Sequence, residues 1–121
     1  MNRLVQSWAS AQGYTYKGVC SNGEVPVPTT FGRDVKIDAL LEKEPNDRIW
    51  VEAKGEANLS DLIQGSGRLI FAVYYGGGKA LLAIDRKRTA RLLQYIDFLK
   101  WFAGGLKLGL FNVEDQEIRW L

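Results

Sequence analysis

Between Gly76-Gly77-Gly78 and Asp85 the chain runs Lys79-Ala80-Leu81-Leu82-Ala83-Ile84, five apolar residues in unbroken succession. A strand with apolar side chains on both faces must be covered on both faces, the property of a strand inside a parallel or mixed sheet. Upstream, residues 58 to 75 read as a helix. It opens at Asn58, with Asp61 three positions on as a weak capping box, and closes at the glycine triplet. A strand reached from an earlier sheet through a helical crossover lies parallel to its neighbour. This one run therefore predicts an α/β fold, a mixed central sheet flanked by helices in a three-layer-like sandwich.

The other segments fill in an order. Residues 2 to 12 read as a short helix with Leu4, Val5, Trp8 and Ala9 on one side, stopped by Gly13. Residues 14 to 19 read as a strand. Asn22-Gly23, Pro26, Pro28 and Gly32 mark residues 21 to 32 as loop. Residues 34 to 42 alternate, with Val35, Ile37, Ala39 and Leu41 on one face and Asp34, Lys36, Asp38, Leu40 and Glu42 on the other. After the turn at residues 44 to 47, residues 48 to 54 form a second strand, so that 34 to 54 reads as a hairpin. Asp85 opens a second long helix that ends at Gly104-Gly105, and residues 106 to 121 read as one or two short strands. The expected order is α-β-β-β-α-β plus a C-terminal helix and short strands, one domain across residues 1 to 121.

Composition removes several chemistries. The chain has no histidine and one cysteine, Cys20, which excludes a histidine-based triad, a His/Cys zinc site, a histidine general base and an internal disulfide. No apolar stretch is long enough to span a membrane, and the start of the chain is amphipathic rather than a signal-peptide core, so a cytoplasmic, membrane-free location is expected. The net charge of +2 does not announce a nucleic-acid binder; only the distribution of charge is suggestive. Any acid–base or metal chemistry falls to carboxylates and lysines.

Metal-assisted phosphodiester hydrolysis needs two nearby carboxylates and a cation beside the attacking water, and Mg²⁺ takes few protein ligands, keeping water and a phosphate oxygen in its shell. Alternation puts Trp50, Glu52 and Lys54 on one strand face, with Ile49, Val51 and Ala53 on the other. The hairpin brings Asp38 alongside. Asp38 and Glu52 are the expected ligands, the Ala53 carbonyl an additional oxygen, and Lys54 the cation; Mn²⁺ is expected to substitute. A Glu-x-Lys triplet alone carries no weight. Its place at the end of an apolar strand, the aspartate on the paired strand, and the helix and apolar strand that follow supply the weight.

In that setting Val35-Lys36-Ile37-Asp38-Ala39-Leu40-Leu41 followed by Ile49-Trp50-Val51-Glu52-Ala53-Lys54 resembles the PD-(D/E)xK signature of the restriction-endonuclease-like nucleases. The resemblance covers residues 1 to about 85, the extent of that family's helix, three strands, helix and strand. It implies that Asp38 and Glu52 bind magnesium and that Lys54 assists the water or the transition state. It also implies that a helix glutamine, here Gln64, touches metal-bound water or phosphate. Ile37 stands where the signature's name has proline. The first helix offers Gln6 where junction resolvases often carry a glutamate. The implied activity is metal-dependent DNA endonuclease, of Holliday-junction-resolvase, restriction or repair type. The alternative is a non-catalytic nucleic-acid-binding or assembly subunit on the same fold.

Contacts to DNA are expected from Arg68, which shares a helix face with Ser60 and Gln64, from Lys36 on the Asp38 face, and from Arg86, Lys87, Arg88 and Arg91. Cations at a helix start oppose the macrodipole, so phosphate binding accounts for that cluster better than local stability does. Asp34 reads as a strand-edge charge. The segment 92 to 102, nearly all apolar and carrying Tyr95, Phe98, Trp101 and Phe102, is expected to form a two-fold homodimer interface, because cutting both strands of a duplex takes two sites.

Overall fold

The computed structural model describes residues 1–54, 58–85, 96–104 and 107–121. The elements are α1 (Asn2–Ala11), β1 (Thr15–Gly18), β2 (Val25–Val27), β3 (Val35–Ile37), β4 (Ala39–Lys43), β5 (Asp47–Lys54), α2 (Leu59–Gly76), β6 (Lys79–Ile84), α3 (Ile96–Ala103), β7 (Leu108–Asn112) and β8 (Glu117–Trp120). Six strands form a mixed sheet in the order β1-β4-β5-β6-β7-β8, with β5, β6 and β7 mutually parallel and the other pairs antiparallel. The α/β architecture expected from residues 79 to 84 is the one observed, with β6 in the interior of the sheet.

Alternation along the central strands sorts the core into two layers. On one face Val5 and Ala9 of α1 pack over Ala39, Leu41, Ile49, Val51, Leu81, Ala83 and Phe111. On the other, Leu62, Leu69 and Ala72 of α2 cover Leu40, Trp50, Ala80, Leu82, Ile84, Leu108 and Leu110. Each fully buried leucine in these layers contributes roughly 1.5–3 kcal/mol by leaving water. α2 starts where its capping box dictates: the Asp61 amide donates to Asn58 Oδ1 at 2.9 Å, and the Asn58 amide donates back to Asp61 Oδ2 at 3.4 Å. No helix among the described residues is long and apolar enough to cross a membrane.

Two expectations fail here. Residues 34 to 42 are not one strand. The chain bends at Asp38, and β3 leaves the main sheet to pair with β2 in a separate two-stranded ladder. Val35 and Ile37 therefore belong with the α2 layer, not with Ala39 and Leu41 in the α1 layer. An unbroken alternation in sequence hides a change of phase, because a bend of one residue leaves the polar–apolar pattern intact. Residues 21 to 32, expected as loop, contain β2; Pro26 is tolerated there because this small ladder has a free edge. The expected start of the second long helix, including Arg86, Lys87, Arg88, Arg91 and residues 92 to 95, lies outside the described residues.

Candidate active site

β4 and β5 pair in a register that sets Lys43 opposite Asp47, Leu41 opposite Ile49 and Ala39 opposite Val51. One further step would face Asp38 to Glu52. The ladder stops there. Instead of continuing, the bend turns the Asp38 carboxylate toward β5, where Oδ2 accepts a 2.8 Å hydrogen bond from the Ala53 amide. The two carboxylates are thus brought together as the spacing required, and Asp38 is held by backbone rather than by a mobile side chain.

Glu52 is wholly buried, at 0% exposure, and neither of its carboxylate oxygens has a hydrogen-bond partner among the described residues. Arg68 of α2 approaches Oε1 to 3.8 Å, an ion pair at long range. Burial first, then the neighbouring Asp38 carboxylate, pushes Glu52 up to about 8, against the opposing pull of Lys54 and Arg68. A buried carboxyl group so weakly compensated is expensive and uncommon, and such groups concentrate where a protein performs chemistry. Tyr16 also lies near Asp38, but its hydroxyl donates to the Val19 carbonyl at 2.6 Å, and burial, with Cys20 and Asp38 adding to it, holds the phenol at about 12. It stays protonated and offers no base.

Lys54, two residues beyond Glu52 on the same strand face, lies against α2 at Gly65. A methyl group at Gly65 would sit 3.0 Å from Lys54 Cε and 3.8 Å from Glu52 Cβ. Sequence reading missed this contact; its signal is a glycine inside an otherwise sound helix, where it costs about 1 kcal/mol relative to alanine. Arg68, expected as a phosphate contact, faces both ways: it reaches Glu52, and with Lys36, Asp34, Glu24, Gly67 and Phe71 it lines an open groove of about 490 Å³ beside the site. Gln64 is exposed on α2, one turn before Arg68. Among the described residues no third His, Cys, Asp or Glu completes a metal-binding group.

A larger cleft, about 890 Å³, opens at the opposite end of β5, lined among others by Lys17, Glu42, Lys43, Asp47 and Arg48. Most of its charges have protein partners. Glu42 pairs with Lys17 and Arg48, each at 3.1 Å. Asp47 accepts from the Tyr14 hydroxyl at 2.6 Å and lies 3.2 Å from Lys79. When the chain is compared with family models, curated proteins and solved structures, nothing matches.

Proposed function

We propose that this chain is a Mg²⁺-dependent DNA endonuclease whose active site is Asp38, Glu52 and Lys54. The observation that carries the reading is Glu52: a carboxylate fully out of water, with two unsatisfied oxygens, beside a second carboxylate. A hard divalent cation is the group such a donor set fits. Asp38 and Glu52 would hold it, with the Ala53 carbonyl as a further protein oxygen and the remaining positions left to water and phosphate. When bound, the ion supplies Lewis-acid polarisation of the phosphate and acidifies an attacking water.

The chain's own residues do the rest. The hydrogen bond from the Ala53 amide fixes the direction of Asp38. Lys54 presents an ammonium on the Glu52 face, where negative charge develops on the phosphate as water attacks phosphorus and the ester oxygen leaves. Arg68 moderates the Glu52 charge in the protein alone and stands at the groove by which a phosphate enters. Two copies related by a two-fold axis would place two such sites on two strands. Phe98 and Trp101, with rings 6.4 Å apart and Trp101 79% exposed, are the described part of the expected 92–102 interface. Light scattering should then give twice the 13.6 kDa chain mass, and Trp101→Asp the single mass. The exposed Cys20 fits a reducing compartment such as the cytosol.

The deciding experiment is a cleavage assay with Mg²⁺ or Mn²⁺ on linear duplex, single-stranded and four-way-junction DNA. Cutting that needs the ion and is lost in Asp38→Ala supports the reading. DNA binding with no cutting of any substrate moves the chain to a non-catalytic binding subunit.

A further inference from the structure

Three aromatic side chains crowd the surface on the C-terminal half of α2. Phe31 is 74% exposed and Tyr74 80%, and Phe71 lies between the loop and the helix, 40% exposed. They form a connected series: the Phe31 ring stands edge-on to Phe71 at 6.2 Å, Phe71 lies parallel to Tyr75 at 6.2 Å, and Tyr75 meets Tyr74 at 4.9 Å. The loop that carries Phe31 is held in place. Thr29 Oγ1 donates to the Arg33 carbonyl and accepts from the Phe31 amide, and the Thr30 and Tyr75 hydroxyls are 2.9 Å apart. An apolar ring that is both exposed and fixed is not used by the core.

Arg68 joins this surface to the site. Arg68, the residue that reaches Glu52, lines the same groove as Phe71 and Lys36. From Arg68 to Tyr75 is about 10 Å along the helix axis. Cations alternate with the rings: Arg33 two residues from Phe31, and Lys36 and Arg68 beside Phe71, with none of Arg33 or Lys36 in an ion pair among the described residues. Glu24 and Asp34 share the groove lining, so attraction for phosphate there is local to Lys36 and Arg68 rather than a broad basic field. Gly67 leaves room in the same groove. It lies in the groove, a methyl group there would meet no protein atom within 4 Å, and yet it keeps a helix position that alanine would fill more stably.

We propose that Phe31, Phe71 and Tyr74 are a stacking platform for an unpaired DNA strand, whose phosphates run past Lys36 and Arg68 to the carboxylates. The rings take base faces, which every base has, and the cations take the backbone, the combination by which single strands are gripped without sequence preference. This rests on the nuclease reading, and it makes the substrate a strand end, flap or gap rather than an intact duplex.

The test is fluorescence anisotropy with labelled oligothymidylate and with a blunt duplex of equal length, in EDTA so that nothing is cut, alongside the Mg²⁺ cleavage assay. The parent should bind the single strand more tightly. Phe31→Ala and Tyr74→Ala should each weaken that binding by about tenfold, with duplex binding unchanged. Phe31→Trp should bind as well as the parent and Phe31→Leu as poorly as alanine, since stacking needs a ring and not merely bulk. Gly67→Ala should melt at higher temperature and bind the single strand less tightly. If the alanine variants bind single strands as the parent does while Mg²⁺-dependent cutting persists, the platform is wrong and the nuclease reading stands. If the alanine variants lose single-strand binding but the parent cuts nothing, the platform stands and the nuclease reading falls. If Phe31→Leu matches the parent, or Phe31→Ala merely converts a dimer to monomer, the surface is a protein interface and the platform is overturned.

Discussion

Strand β5 carries one acidic residue near each end, and the two have opposite surroundings. At Asp47 burial raises the affinity for a proton, but the Tyr14 hydroxyl and the Lys79 ammonium outweigh it, and the carboxyl is held below its usual range. At Glu52 burial wins, Asp38 adds to it, and the group is pushed up to about 8. The chain sets a hydroxyl and an ammonium close against one carboxylate of this strand, and at the other end it offers the second only Arg68 at 3.8 Å. On the reading proposed above, the difference separates charge used for structure from charge held for chemistry. It also separates the two openings: the 890 Å³ cleft is the larger and most of its charges face protein partners, whereas the 490 Å³ groove is lined by Arg68, which reaches Glu52.

The contrast is broken most directly by activity. Asp38→Ala or Glu52→Gln should reduce metal-dependent cleavage to background, with circular dichroism unchanged, whereas Asp47→Asn should cut as the parent does. Equal loss at both ends would erase the distinction. Next, Lys54→Ala should lose about 10² in rate, the effect of removing one electrostatic stabiliser. Mg²⁺ affinity by calorimetry should hardly change, which separates the ammonium from the ligands.

Stability sharpens the same contrast with opposite signs. Glu52 keeps its proton to about 8 in the folded chain, while an unfolded glutamate releases it near pH ~4.3. The unfolded state therefore binds fewer protons between those values, and the stability Glu52 allows is full below the lower value and falls as pH rises toward about 8. Glu52→Gln should remove that decline and leave the protein more stable than the parent at pH 8 in metal-free buffer, by on the order of 3 kcal/mol. Asp47→Asn should do the reverse and destabilise by ~1 kcal/mol at neutral pH, since it weakens a hydrogen bond and an ion pair. Denaturant melts across pH 5 to 9 read both. The smallest effect belongs to the groove: Lys36→Gln or Arg68→Gln should lower the slope of log affinity against log salt by about one unit each.

Much of the arrangement could be read from residues alone, and what could not has a physical cause. The alternation in β5, the cap at Asn58 and the apolar β6 are local signals, and they place Glu52 and Lys54 on one face beside a parallel crossover. Asp38 was found for a partly mistaken reason. The alternation reads it as one position in a straight strand, whereas it sits at the bend between two sheets and is aimed by the Ala53 amide. Bends and ladder exchanges depend on long-range pairing, and an uninterrupted pattern does not report them. β2 was hidden by Pro26, read as loop punctuation although a free edge admits it. The aromatic series was overlooked because Phe31 comes from a loop forty residues before Phe71. Only the spacing of Arg68, Phe71, Tyr74 and Tyr75, one helix face in the sequence, hinted at it.

Gly65 gives the site an asymmetric exposure to chance. The atom that a methyl group would press upon belongs to the far end of a flexible lysine, so the backbone has no reason to object. Alanine is the better helix former. If Lys54 acts as proposed, a single-step change at this position would leave a folded molecule whose ammonium has been nudged aside. Selection for robustness alone would accept that molecule.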